Sequence, residues 1–140
     1  MANADILATT TPAPAWRRTG IVLSTLATLF FLMDAGGKLI APEMMIANTP
    51  PLGLPADVGL YRLLGAILAA CTALYVWPRT ALLGAVLLTG FLGGAIAVNL
   101  RAQMPVFANT LFGVYVGVLM WAGILMRRPL VLMLLGIVAR

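Results

Sequence analysis

Histidine is absent from this sequence, and cysteine occurs once, at Cys71. These two facts exclude bis-histidine haem ligation, Cys/His zinc sites, CxxC redox pairs and intramolecular disulfides. Carboxylates are nearly as scarce: Asp5, Asp34, Glu43 and Asp57 are the only four, too few for a carboxylate-bridged metal site. No catalytic residue stands out and no metal site is expected. Any redox chemistry would have to be carried by a bound molecule rather than by side chains, and by itself the chain reads more readily as a non-enzyme than as an enzyme.

Charge is the other scarcity. Charged residues make up 9% of the 140 and hydrophobic residues 62%, with a mean hydropathy of +1.04; a soluble domain carries roughly 25% charged residues. The formal net charge of +5 does not signal nucleic acid, because no basic stripe interleaved with aromatics exists. Most arginines instead stand at the ends of apolar segments, where they orient membrane spans. A lipid bilayer is the expected surrounding.

What the sequence has in abundance is long apolar runs. Thr80 to Arg101, TALLGAVLLTGFLGGAIAVNLR, has about the 20 residues needed to cross a hydrocarbon core of roughly 30 Å. Its Gly90/Gly94 and Gly93/Ala97 are small-xxx-small pairs, as are Gly113 and Gly117 further on, the spacing that lets helices in lipid approach closely. These residues are the expected helix-packing positions.

The expected fold is all-α: a transmembrane four-helix bundle with short loops and a proline-rich outer loop between spans one and two. Residues 1–16, rich in Ala, Thr and Pro, read as a flexible tail. Residues 17–128 form the four-span domain, with spans at about 19–40, 57–77, 80–101 and 109–126. Arg17 and Arg18 before an apolar run resemble a signal-peptide start, but the run continues to Ile40 and no A-x-A-like site follows, so it reads as a retained span. Ala41 to Ala56 is too proline-rich for a helix and reads as loop. Asp57 is a candidate N-cap, and Tyr75 and Trp77 suit an interfacial aromatic belt. Pro78-Arg79 forces an antiparallel hairpin between spans two and three. Residues 129–140 are apolar but too short to cross, and read as an interfacial tail.

With four spans, Arg17, Arg18, Arg79, Arg127, Arg128 and Arg140 fall on one side. The positive-inside rule then puts both termini in the cytoplasm of a bacterial inner membrane, crossed several times.

A few polar groups need a reason to be in lipid. At 1.5 Å per residue, Asp34 and Arg62 lie about 22 Å from the arginine-flanked boundary, with Tyr115 near that level and Asn99 slightly beyond. Lys38 is in i,i+4 register with Asp34. A charge in hydrocarbon costs at least roughly 2.5 kcal/mol, so Asp34 and Arg62 are expected to face the bundle interior, near one another or Lys38. Two readings stay open: a polar pocket of Asp34, Lys38, Arg62, Asn99 and Tyr115 beneath the proline-rich loop, or a structural ion pair holding spans one and two in register. Cys71 reads as a packing residue. Thr25, Thr28, Thr72 and Thr89 read as bonding to their own helix carbonyls.

The run LYVWPRTALLGAVLLTGFLGGAIAVNLR, ending at Arg101, resembles the DoxX-like family of small four-span bacterial membrane proteins. Gly37-Lys38-Leu39 with Pro42 is similar to the family's end of span one, Leu52-Gly53-Leu54-Pro55 to its LGxP loop, and GVLMWAGILMRRP (117–129) to its fourth span and exit. The likeness extends over roughly Phe30 to Leu130. Where relatives often have a glutamate, this chain has Leu68, and where they have a histidine it has Asn99; a site built on those groups would be lost here, with Asp34 and Arg62 as its own substitutes. The wider family is associated with a membrane subunit resembling those of thiosulfate:quinone oxidoreductases, and with oxidant-defence and methylamine-utilisation systems. The glycine-rich faces, the apolar tail and the lack of catalytic groups lead to the expectation of a non-catalytic accessory or scaffold subunit joined to other membrane subunits or to copies of itself. The alternatives are a component of a quinone-linked oxidoreductase system and a small lipophile-binding or carrier protein. No cofactor held by protein ligands is expected; quinone and lipid are the candidate bound molecules.

Overall fold

The computed structural model describes residues 14–48 and 52–128, with Val131 and Gly136 beyond them. Five α-helices follow in order: α1 Pro14–Ile40, α2 Pro42–Asn48, α3 Val58–Val76, α4 Ala81–Arg101 and α5 Phe112–Arg127. A π-helical turn, Val106–Thr110, leads into α5. Helices α1, α3 and α4, together with the continuous segment Val106–Arg127, are each long and apolar enough to span a membrane. They run up, down, up and down. Each packs against its neighbours in sequence, and α5 returns against α1, which closes an all-helical four-helix bundle.

Local chemistry sets most of the boundaries. The Asp57 carboxylate accepts from the backbone N–H groups of Gly59 and Leu60, both at 3.1 Å, capping α3 as expected. At the α3–α4 hairpin the Thr80 hydroxyl donates to the Leu74 carbonyl at 2.8 Å, and Arg128 donates to the Pro78 carbonyl. One expectation is corrected: Ala41 to Ala56 is not wholly loop, because Pro42–Asn48 forms α2. Pro42 occupies the first helical position, where the N–H it lacks would have had no partner anyway. Helix α1 begins at Pro14, ahead of Thr19. The expected tails at 1–16 and 129–140 fall largely outside the described residues; Val131 is buried.

The tightest helix crossings use glycines other than Gly90, Gly93 and Gly94. A methyl on Gly84 would stand 2.5 Å from Tyr75 Cα and 2.7 Å from the Leu74 carbonyl carbon. One on Gly20 would stand 2.7 Å from Met126 Cβ, and one on Gly123 2.8 Å from Ser24 N. All three crossings lie at the end of the bundle that carries Arg17, Arg18, Arg79, Arg127 and Arg128, here called the arginine end. Toward the other end, the loop end, Gly65 lets α3 approach the Ala35 carbonyl and Lys38 Cβ of α1. Over Gly90, Gly93 and Gly94, by contrast, an added methyl would meet nothing within 4 Å. Gly113 and Gly117 do face a neighbour, against Ile96 and Leu92 of α4.

Tyr75 is the keystone of the arginine end, not a belt residue. It is 1% exposed, with its hydroxyl 3.0 Å from the Met120 carbonyl oxygen and 2.9 Å from Ser24 Oγ. A phenol has one proton, so it donates to the carbonyl and accepts from the serine. The Arg127 guanidinium lies 5.5 Å from the centre of its ring. One hydroxyl thus joins α1, α3 and α5. Tyr75→Phe is expected to cost about 1–3 kcal/mol by stranding both partners, read as a lower melting temperature in mild detergent.

Cys71 is buried among packing residues. The hydroxyls of Thr25, Thr28, Thr72 and Thr89 each donate to the carbonyl four residues back, as the sequence suggests. Large apolar side chains on the outside, among them Leu26, Leu29, Met33 and Val86, leave a surface suited to acyl chains. Together with the four spans, this defines an integral membrane protein.

Candidate functional site

Toward the loop end, the open space over Gly90 and Gly94 of α4 belongs to a cavity of about 600 Å³ between the helices. That size falls within the range of small-molecule sites. Its depth is apolar, formed by Phe30 and Phe31 of α1, Leu64 and Leu68 of α3, and Phe91 and Leu92 of α4. Phe30 meets Phe112 edge-on, ring centres 5.1 Å apart, closing the seam between α1 and α5. The loop end contributes the polar groups: Asp34, Lys38, Tyr61, Asn99, Asn109 and Thr110. Met45, Leu52 and Leu54 complete the lining there.

Asp34 and Lys38 pair with each other one helical turn apart. With the carboxylate N-terminal to the ammonium, the pair has the favourable orientation, and the Lys38 stem is packed where Gly65 leaves room. Asn99 donates one amide hydrogen to the Ala95 carbonyl at 2.8 Å, which leaves its amide oxygen as an acceptor. Removing only half of the ion pair, by Lys38→Met, strands a partly buried carboxylate and is expected to cost about 3 kcal/mol. The double variant Asp34→Leu with Lys38→Met is expected to recover most of that in the same melting assay.

Arg62 and Tyr115 are not part of this cavity. Arg62 is exposed and Tyr115 is 52% exposed. The expectation that Arg62 turns inward assumed a deep position. Helix α3 starts at Val58, so Arg62 stands near the helix start, where a guanidinium can reach the headgroups along its own stem. Tyr115, well inside the Val106–Arg127 span, points out of the bundle rather than into the cavity. Of the five polar positions singled out from the sequence, the structure brings Asp34, Lys38 and Asn99 together.

Three contributors escape a sequence reading. Arg101 looks like a charge flanking a span, yet its guanidinium donates to the carbonyls of Leu52 at 3.2 Å and Gly53 at 2.9 Å, fastening the loop over the cavity. Gly53 has φ +68°, a left-handed conformation suited to glycine. Thr110 is 2% exposed and its hydroxyl has no hydrogen-bond partner; the only sequence signal is Pro105 ahead of it.

An integral membrane four-helix bundle with a cavity between its helices toward the loop end is the class these observations define. The DoxX-like family model matches residues 22–123, and the chain belongs to that family. Comparisons with curated proteins and with solved structures give no match.

Proposed function

We propose that this DoxX-like protein binds a lipophilic molecule, held between the four helices beneath the loop that Arg101 fastens. The observation supporting the reading is the cavity of about 600 Å³, apolar in its depth and polar toward its loop end. Neither the ion pair nor the remaining lining supplies an evident nucleophile, so the chain's part is to hold and orient rather than to react. A quinone or a lipid has the required character, the quinone being suggested by the family resemblance. The charge distribution supports placing both termini in the cytoplasm of a bacterial inner membrane.

The test is isolation from native membrane in mild detergent, solvent extraction, and mass spectrometry of what is released. A molecule recovered in near-stoichiometric amount, and displaced by an excess of a competitor lipophile, is the expected result. Recovery of bulk membrane lipids alone, in their membrane proportions, overturns it.

A second reading, the accessory or scaffold subunit, has its own support. The α4 surface at Gly93 meets no neighbour among the described residues, and Ala97 beside it is exposed, the small-residue pattern that suits a second helix in lipid. Partner chains or a second copy retained through purification would favour it. A stable monomer in mild detergent would remove it while leaving the binding reading intact.

A further inference from the structure

Threonine hydroxyls inside the helices of this bundle follow one rule. Those of Thr19, Thr25, Thr28, Thr72 and Thr89 each donate to the backbone carbonyl four residues earlier. Thr110 departs from it: its side chain is buried and its hydroxyl is unpartnered. The π-turn provides the reason. Leu111 N–H reaches back five residues to the Val106 carbonyl at 2.8 Å, and Thr110 N–H five residues to Pro105 at 3.3 Å. In this widened turn the Val106 carbonyl pairs with the N–H of Leu111 rather than with that of Thr110, so the four-residue register that the other threonine hydroxyls use is lost. Such turns recur at functional sites, and this one brings Thr110 to the wall of the cavity. A buried hydroxyl without an acceptor is costly; the Thr110 oxygen is closed off as the side chain stands, so an acceptor in the cavity that the residue lines reaches it only when the side chain turns.

Charge narrows the choice of ligand. The ionised side chains that line the cavity are Asp34 and Lys38, which neutralise each other. An incoming carboxylate or quaternary ammonium would have to break that pair or sit unpaired among apolar walls, and either is unfavourable. Oxygen in a ketone, ester or amide carries no such penalty.

Resting on the cavity reading above, we propose that the site selects an uncharged lipophile with an acceptor oxygen at its polar end, and that the Thr110 side chain turns on binding to donate its hydroxyl proton to that oxygen. The apolar remainder of the ligand then lies toward Leu68 and Phe91, with its polar end beneath Leu52 and Leu54.

The experiment uses the full chain reconstituted in phosphatidylcholine nanodiscs at pH 9. Four photoreactive diazirine probes of equal 16-carbon length are compared: a methyl ester, the free carboxylate, a trimethylammonium and a plain alkane. Labelling is normalised to probe incorporated in the disc, and labelled residues are located by mass spectrometry. The methyl ester is expected to label cavity residues about ten-fold more than either charged probe and about five-fold more than the alkane. Thr110→Val is expected to lower the ester to the alkane level, and Thr110→Ser to keep its advantage. Equal labelling of the cavity by all four probes, or preference for a charged one, overturns the head-group inference and leaves the cavity reading standing. An ester preference that survives in Thr110→Val overturns the role given to Thr110. Absence of labelling at cavity residues by every probe overturns the cavity reading itself. If Thr110→Val does not fold, the ranking of the four probes on the unaltered protein and on Thr110→Ser decides.

Discussion

Gly84→Ala is expected to be the most damaging single methyl that can be added to this protein, costing roughly 3 kcal/mol or more. The new carbon would stand 2.5 Å from Tyr75 Cα and 2.7 Å from the Leu74 carbonyl carbon, and these are backbone atoms of a helix that cannot rotate away. Relief requires α3 and α4 to separate. That separation also pulls Tyr75 from Ser24 and Met120, whose hydrogen bonds join α1, α3 and α5. The matched control is Gly90→Ala on the same helix, where nothing lies within 4 Å of the new methyl. There the helix gains up to about 1 kcal/mol from replacing glycine. Melting in mild detergent should move in opposite directions for the two variants. Equal shifts would mean that the α3–α4 crossing is not as close as described.

The second large effect concerns binding. Gly90 and Gly94 line the cavity and leave open space above them, so Gly90→Leu with Gly94→Leu places two isobutyl groups where the ligand would lie. Because leucine is a better helix former than glycine, by up to about 1 kcal/mol per position, the bundle should melt no lower than the original. Complete loss of the co-purifying lipophile is the expected outcome, with folding retained. A doubly substituted protein that still carries its lipophile in full would show that the molecule binds elsewhere. Destabilisation of the kind expected for Gly84→Ala cannot explain loss of ligand here, which is why the two experiments belong together.

Much of the architecture was legible in the residues. Run length identifies the four spans, the threonine back-bonds and the Asp57 cap follow from local chemistry, and the Asp34–Lys38 pair follows from helical register. What the residues did not disclose is which side of each helix faces inward. In a segment that is apolar all round, such as 81–101, no polar face marks the outside, so periodicity groups Gly90 with Gly94 without saying what lies opposite them. The reading as close-packing positions was natural, yet in this chain they border empty space and Gly84 makes the contact. Tyr75 was misplaced for a related reason. An aromatic near a span end suits the headgroup region, and only the positions of Ser24 and Met120 on other helices reveal a buried home for its hydroxyl. For Arg62 and Tyr115 a depth count says nothing about which face of the helix each occupies, and both are exposed.

The closure contributed by Tyr75, Leu88, Met120 and Ile124, all at most 1% exposed, lies at one extremity only. The cavity therefore has a floor on the arginine side. A molecule bound as proposed would be screened from that leaflet, so one copy of this chain is better suited to keeping or presenting a cargo than to handing it across the bilayer.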